Sequence, residues 1–264
     1  MSSIAVTIAG SDSSGGAGIQ ADLKTFAALG VYGASVITAL TAQNSGGIRG
    51  IYAVPADFVA AQIDAVFSDL KVGAVKIGML GTAPVIEAVA AGLDRHQQRQ
   101  VVLDPVMAAS SGEKLLAADA LDGLRKLIAR ARVVTPNLAE AAAILGSRQA
   151  RDEAEMRAQA EKLLAFGAGA VLLKGGHSGG AESVDILVEA QSCERLAAPR
   201  VATKNTHGTG CTLAAAIAAG LAKKLTLNES VRQAKAYLSA ALAAADRLDV
   251  GSGPGPLNHF YKWW

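Results

Sequence analysis

Short apolar runs, each followed by a polar and glycine-containing cluster, recur along this chain and limit the folds open to it. Residues 4–9, 34–40 and 101–104 are predicted buried strands, and predicted helices separate them. Strands that alternate with helices form a mostly parallel sheet with helices on both faces. Hydrophobic residues make up 51% of the chain but aromatic residues only 4%, which suits helices packed on such a sheet. The sequence therefore predicts a doubly wound α/β fold.

Polar clusters follow at least five of the predicted strands. Ligands bind at the carboxyl ends of the strands in open sheets of this kind, so we expect the clusters to share one edge and form one site. No internal repeat or break in composition divides the chain, and residues 1–264 are predicted to form one domain. The clusters occupy residues 10–18, 41–47, 104–114, 135–140 and 174–177.

The stretch 203–211 constrains the function most, because its two glycines run directly into a small-residue helix. The first N–H groups of a helix lack intrahelical partners and, together with the helix dipole, attract an anion such as phosphate. Gly208 and Gly210 let the backbone touch that anion, and Cys211 lies at the entrance to the predicted anion site. The alternative is a glycine turn that only caps a buried helix. The clusters at the other strand ends favour the phosphate site.

Side chains at three strand ends are candidates for contact with a phosphorylated ligand. Asp104 ends a buried strand, where a carboxylate needs a cation, a metal ion or a cluster of donors. Lys174 directly follows another buried strand and is a candidate phosphate contact. Asn137 and Glu140 have the spacing of a helix capping box. A compatible interpretation is that both face the site, with Glu140 reaching a metal ion.

Two residues in the N-terminal part are candidates for contact with a substrate. The amide of Gln43 can donate and accept at once, so it can pair with two adjacent edge atoms of an aminopyrimidine or adenine ring. The alternative is a solvated loop amide. Asp22 lies one turn into the first predicted helix and would face the strand ends, although a carboxylate near a helix N-terminus is also favourable by itself. His177 is interpreted as a loop residue or a residue of the site rim, and not as a base.

Charge and cysteine content exclude several classes of partner. The net charge is +2 with acids and bases interspersed, so no nucleic-acid-binding surface is expected. No apolar stretch has the length of a membrane span, and the N-terminus lacks the basic region of a signal peptide. Two distant cysteines and four scattered histidines give neither a disulfide framework nor a metal-ligand pattern. We therefore expect a cytoplasmic protein with a small-molecule partner.

A lysine, an acid and an amide–carboxylate pair that face an anion hole suit phosphoryl transfer from Mg-ATP. Over essentially the whole chain, the motifs resemble the hydroxymethylpyrimidine/phosphomethylpyrimidine kinases of the ribokinase-like superfamily. The motifs that carry the resemblance are AGSDSSGGAGIQADLKT at 9–25, TALTAQN at 38–44, KIGML at 76–80, TPNLAE at 135–140, KGGH at 174–177, TKNTHGTGC at 203–211 and NHFYKWW at 258–264.

The resemblance implies the ribokinase-like fold, the cofactors ATP and Mg²⁺, a homodimer and two successive phosphorylations in thiamine biosynthesis. The first would act on the hydroxymethyl group of an aminopyrimidine and the second on the resulting monophosphate. A pyridoxal or pyridoxine kinase on the same fold is the alternative, since Gln43 does not exclude a pyridine alcohol. A non-catalytic pyrimidine-binding sensor is a second alternative. The intact Gly-Thr-Gly turn and Glu140 argue against that sensor.

The resemblance also implies roles for individual residues. Phosphate and catalytic contacts would come from Lys174 and the turn that holds Gly208, Gly210 and Cys211. The substrate would be bound by Gln43, Gly10, Asp22, Met79 and Val106, the nucleotide by Asn137, Lys174, Thr206, Thr209 and Lys235, and the metal ion by Glu140 and Asp104. Thr41 stands where the resemblance leads us to expect valine.

Cys211 occupies the position at which many ribokinase-like sugar kinases carry an aspartate base. A thiol is mostly protonated at neutral pH unless a helix N-terminus lowers its pKa, and a loose phosphoryl-transfer transition state needs little base assistance. The second step needs no base, because its nucleophile is already a phosphate anion, which an aspartate would repel. We therefore expect the cysteine to suit an enzyme that phosphorylates both an alcohol and a phosphate.

Overall fold

The computed structural model describes residues 2–109, 112–176 and 180–264. Within these ranges, nine strands form one sheet and eight α-helices pack against it. The strands are β1 Ile4–Asp12, β2 Tyr32–Asn44, β3 Gly47–Ala53, β4 Ala74–Ile77, β5 Val101–Leu103, β6 Val133–Val134, β7 Val171–Lys174, β8 Glu182–Glu189 and β9 Ser192–Pro199. The helices are α1 Gly18–Ala28, α2 Ala56–Asp69, α3 Ala83–Arg95, α4 Leu121–Ile128, α5 Leu138–Leu145, α6 Glu153–Leu164, α7 Thr209–Ala222 and α8 Leu227–Ala243.

The order of the strands places the carboxyl ends of the central ones side by side. The order across the sheet is β3-β2-β1-β4-β5-β6-β7-β8-β9. Neighbours from β2 to β7 pair in parallel, and β3, β8 and β9 pair antiparallel at the two sides. The chain runs from β1 to one side and returns to β4 on the other side of β1, which creates the switch point where such sheets bind ligands. The predicted doubly wound α/β fold is confirmed.

Alternating side chains of the central strands build a separate core on each face of the sheet. Val101 and Leu103 face the core formed with α2 to α6, whereas Val102 between them faces the core formed with α1, α7 and α8. This alternation is the two-residue period of an extended strand. Both faces are buried, which explains why these strands appear in the sequence as continuous apolar runs.

Helix α7 lies between the sheet and helix α8, and its small residues allow that position. Ala214, Ala215 and Ala218 are fully buried. A Cβ at Gly220 would lie 2.6 Å from the Ser230 hydroxyl oxygen of α8, so only glycine permits the two helices to approach this closely. The close packing fixes the axis of α7 and therefore the position of its N-terminus.

The second predicted strand, residues 34–40, is longer in the structure. It continues to Asn44 and forms a hairpin with β3, so Gln43 lies on a strand and not in a loop. Strand β8 is an interior strand, because β9 forms the edge beyond it. Helix α8 ends at Ala243, and a single 3₁₀ turn follows. The largely exposed strands β3 and β9 lack the apolar pattern that would have indicated them.

Within the described ranges, none of the helices combines the length and the apolarity needed to cross a membrane.

Candidate active site

The predicted polar clusters converge where β5, β6, β7 and the start of α7 meet. Lys174 Nζ lies 2.8 Å from Asp104 Oδ1, and the hydroxyl of Thr135 donates to the same oxygen at 3.2 Å. A Cβ at Gly210 would lie 3.3 Å from Lys174 Nζ and 3.5 Å from Asp104 Oδ2. The N-terminus of α7 therefore faces the Lys174–Asp104 ion pair, and a side chain at Gly210 would enter the space between them.

The N-terminus of α7 presents backbone N–H groups without a side-chain cap from the described residues. Gly208 is the N-cap and has φ of 87°, a conformation that favours glycine. A Cβ there would also collide with the carbonyl oxygen of Gly16. The hydroxyl of Thr209 donates to the carbonyl of Thr206, so these two residues brace the turn. The predicted phosphate site thus has the geometry of an open helix N-terminus.

Cys211 lies in the first turn of α7 and meets the start of a second helix. The backbone of Gly18, the first residue of α1, favours the ionised form of the thiol. Burial nevertheless raises the pKa of the thiol to about 11, against the lowering effect of nearby Lys76. Our expectation that a helix N-terminus could lower this pKa is outweighed by desolvation. Cys211 is a neutral thiol at pH 7.

Asp22 and Lys76 form a fully buried ion pair beneath Cys211. Lys76 Nζ lies 2.8 Å from Asp22 Oδ2, both side chains are 0% exposed, and the Thr7 hydroxyl donates to the same oxygen. Burial opposes the charged ammonium, yet Asp22 raises the pKa of Lys76 above its usual value. The predicted direct contact between Asp22 and substrate is therefore corrected, because the carboxylate is enclosed. It pairs with Lys76, whose charge lowers the pKa of Cys211.

Asn137 and Glu140 form the predicted capping box at the start of α5. Asn137 Oδ1 accepts from the Glu140 N–H at 2.9 Å, and Glu140 Oε2 accepts from the Asn137 N–H at 2.7 Å. Burial raises the pKa of Glu140 to about 7, an increase that Lys174 opposes and Asp104 supports. The same carboxylates raise the pKa of Lys174, although burial works against its charge. Asp104, Lys174 and Glu140 are therefore electrostatically linked.

Gln43 lies at the end of β2, where the chain meets residues from two other segments. Its Oε1 lies 3.0 Å from the Thr41 hydroxyl oxygen, and its Nε2 lies 3.4 Å from His207 Nε2. His207 Nε2 in turn lies 2.9 Å from Asp12 Oδ2. The amide is half-buried and is not the freely solvated loop residue of the alternative interpretation.

Gly10, Met79 and Val106, which the resemblance places around the substrate, lie at or just after the ends of three neighbouring strands, β1, β4 and β5. A Cβ at Gly10 would lie 3.1 Å from Met79 Sδ, so the glycine makes room for the thioether. The Thr38 hydroxyl donates to the Met79 carbonyl at 2.6 Å and fixes that loop. Val106 and Met79 are both half-buried, so each retains apolar surface for a ligand.

Lys235 does not have the predicted role of a nucleotide contact. Its ammonium lies 2.6 Å from Asp185 Oδ2 and 3.0 and 3.3 Å from the backbone and side-chain oxygens of Ser183. These three bonds use all of its protons. Asp185 also accepts from the Gly175 N–H at 3.1 Å, so Lys235 stabilises the loop after Lys174 and does not offer charge to a phosphate.

Lys76, His207 and Asp12 had no individually predicted role. Lys76 had a detectable signal, since a lysine inside an otherwise apolar strand is buried and needs a partner. The contact between Asp12 and His207 spans 195 positions and no local pattern reveals it. His177 and residues 110 and 111 of the predicted polar cluster 104–114 lie outside the described residues.

Solved structures share this arrangement of strands over almost the entire chain. The pyridoxal kinase of Bacillus subtilis in an ADP complex has a TM-score of 0.90 and 35% identity, covering 98% of both chains. The phosphomethylpyrimidine kinase of Clostridium difficile 630 has a TM-score of 0.81 and 42% identity, covering 90% of this chain and 99% of that one. The fold is that of a ribokinase-like kinase.

Sequence comparison narrows this class to one family. A family profile described as phosphomethylpyrimidine kinase matches residues 12–258. The hydroxymethylpyrimidine/phosphomethylpyrimidine kinase of Rhizobium meliloti strain 1021 is 59% identical over 265 positions, covering 100% of this chain and 99% of that protein. The chain belongs to the phosphomethylpyrimidine kinase family, as the sequence motifs predicted.

Proposed function

We propose that this chain transfers the γ-phosphoryl group of ATP to the hydroxymethyl group of 4-amino-5-hydroxymethyl-2-methylpyrimidine, and then to the monophosphate so formed, in thiamine biosynthesis. The observation that carries the proposal is the uncapped N-terminus of α7 opposite the Lys174–Asp104 pair. Membership of the phosphomethylpyrimidine kinase family supports the choice of an aminopyrimidine. We infer that the chain acts as one kinase domain.

In each step an oxygen of the substrate attacks the γ-phosphorus, and the bond from that phosphorus to the bridging oxygen breaks as ADP leaves. The N–H groups of Gly210 and Cys211, together with Lys174, would stabilise the charge on the transferred group. Cys211, a neutral thiol, lines the acceptor position without repelling a phosphate. Gln43 would orient the pyrimidine ring, with Gly10, Met79 and Val106 around it.

The residues present fit a magnesium ion. Mg²⁺ is usually bound by one or two carboxylates together with substrate phosphates and water, and Asp104 and Glu140 provide two buried carboxylates at this edge. Burial raises the pKa of Glu140 to about 7, and a bound cation would offset the cost of burying its charge. When bound, Mg²⁺ would neutralise charge on the nucleotide phosphates. Asn137, Thr206 and Thr209 would contact the nucleotide.

Two further expectations belong to this proposal. A homodimer is supported by apolar surface on the β2–β3 hairpin, where Leu40 and Tyr52 lie directly opposite each other and are 46% and 67% exposed. Light scattering should give twice the chain mass for the wild type and a smaller mass for Tyr52→Asp. A cytoplasmic location is supported by two cysteines without a disulfide.

Pyridoxal phosphorylation is the second candidate, because pyridoxal kinases share the fold at a TM-score of 0.90. The deciding experiment offers purified protein and Mg-ATP with hydroxymethylpyrimidine, with its monophosphate and with pyridoxal, and measures ADP release from each. We expect release with both pyrimidines. If neither pyrimidine gives ADP release, the main proposal is overturned. Release with pyridoxal alone would favour pyridoxal phosphorylation.

A further inference from the structure

The amide of Gln43 is held from two sides by side chains that themselves have fixed partners. Thr41 Oγ1 lies 3.0 Å from the amide and 3.0 Å from the carbonyl oxygen of Ser11. On the other side, His207 Nε2 lies 3.4 Å from the amide and 2.9 Å from Asp12 Oδ2. Five residues from β1, β2 and the turn before α7 therefore form one chain of polar contacts.

Asp12 determines the direction of the hydrogen bond at His207. Burial opposes its ionisation, but hydrogen bonds from His207, Ser14 and Ala17 hold the pKa of Asp12 well below its usual range. An ionised carboxylate can only accept. The His207 Nε2 therefore carries a proton and donates it to Asp12. It cannot also accept a proton from the amide of Gln43.

Only one of the two orientations of the Gln43 amide places a donor opposite an acceptor at every contact among these five residues. With nitrogen towards His207, two N–H groups face each other, and the single proton of Thr41 faces two acceptors, Gln43 Oε1 and the Ser11 carbonyl. Rotation of the amide by 180° exchanges its oxygen and nitrogen. The oxygen then shares the His207 proton, the nitrogen donates to Thr41 Oγ1, and the Thr41 proton goes to Ser11.

We propose that Thr41 is a specificity-determining positioning residue, whose hydroxyl selects the orientation of the Gln43 amide. One amide N–H and one oxygen lone pair then remain in a fixed order for the ligand. That order matches an aminopyrimidine edge, where an exocyclic amino group lies next to a ring nitrogen. The inference rests on the proposed function, and it identifies how this chain recognises the amino group.

The test compares two substitutions that differ in the hydroxyl. Thr41→Val keeps the size of the side chain but removes the acceptor for the amide nitrogen, whereas Thr41→Ser keeps the acceptor. Each protein is titrated with hydroxymethylpyrimidine and with its analogue that lacks the 4-amino group, 5-hydroxymethyl-2-methylpyrimidine. Dissociation constants, KM values and kcat are measured, and thermal unfolding shows that each variant is folded.

We expect Thr41→Val to weaken binding of the aminopyrimidine by about fivefold, the worth of one ordinary hydrogen bond. Binding of the desamino analogue, the KM for ATP and kcat should stay within about twofold, because losses of that size lie below one hydrogen bond. Thr41→Ser should keep the wild-type preference for the amino group. If Thr41→Val does not fold, Thr41→Ala also removes the acceptor.

If Thr41→Val kept the wild-type preference for the aminopyrimidine over the desamino analogue, the role of Thr41 would be overturned. An equal loss of aminopyrimidine binding in Thr41→Ser would also overturn it, because the effect would then come from packing and not from the hydroxyl. A fall in kcat with unchanged binding would also overturn it. The proposed function is tested separately, because its failure appears in the wild type as no turnover of either natural pyrimidine.

Discussion

The ammonium of Lys174 and the carboxylate of Asp104 form a 2.8 Å ion pair directly in front of the first turn of α7. Both side chains are largely buried, and each comes from the end of a different parallel strand. The pair therefore delivers one positive charge to the place where the helix N-terminus already favours an anion. Asp104 limits the cost of burying that charge until a phosphate arrives.

Replacing Lys174 with methionine should affect activity and stability through different partners. Loss of the cation should lower kcat by about 10² to 10³, as for other single donors to transition-state charge. It also leaves Asp104 buried without its partner, which should destabilise the fold by about 3–5 kcal/mol. The double variant Lys174→Met with Asp104→Asn should recover most of the stability but not the activity. Urea unfolding and steady-state kinetics on the wild type and these two variants measure both effects. Recovery of activity together with stability in the double variant would contradict the separation of the two roles.

Alanine substitutions at the two glycines of the turn should have opposite consequences. Gly208 has a positive φ and faces the Gly16 carbonyl without space for a methyl group, so Gly208→Ala should lower the melting temperature by several degrees. At Gly210 a methyl group would lie 3.3 Å from Lys174 Nζ and 3.5 Å from Asp104 Oδ2. These distances require little movement, so Gly210→Ala should fold normally. It should lose most of its activity, because the methyl group enters the anion site. An active and folded Gly208→Ala variant would contradict the tight packing of the turn.

Glu140 should make the stability of the ligand-free protein fall as the pH rises. Its pKa is about 7 in the folded protein, against 4.5 for the ordinary residue, so the folded state binds the proton more tightly than the unfolded chain. The resulting stability is complete below pH 4.5 and is lost as the pH rises through 7, by at most about 3 kcal/mol. Glu140→Gln keeps the capping box and should not show this loss. If the free energies of unfolding of the wild type and Glu140→Gln changed equally between pH 5 and 8, the raised pKa of Glu140 would be contradicted.

The sequence was sufficient for the parts of this fold that have a local signal. Gly208, Gly210 and Lys174 were located because glycines before a helix and a lysine after an apolar strand are recognisable without the structure. Asp22 was placed at the ligand for the same local reason, and the structure corrects it because Lys76, 54 positions away, encloses its charge. The hairpin β2–β3 was missed because its second strand is exposed and has no apolar alternation. What the sequence could not show is which distant charges pair.

Substitution of Cys211 by aspartate should separate the two phosphorylation steps. The thiol is neutral at pH 7 because burial raises its pKa, so it neither attracts nor repels the second substrate, a phosphate monoester. An ionised carboxylate at this position would repel that anion, and Asp22 and Asp104, which already influence the thiol, would add to the repulsion. We expect kcat/KM for the monophosphate to fall at least about tenfold more than kcat/KM for the alcohol, a difference of about 1.4 kcal/mol. Cys211→Ser is the matched control, since it changes size little and adds no charge, and it should reduce both steps by similar factors. Survival of the second step in Cys211→Asp to the same degree as the first would show that the cysteine is not what allows an alcohol and a phosphate to use one site.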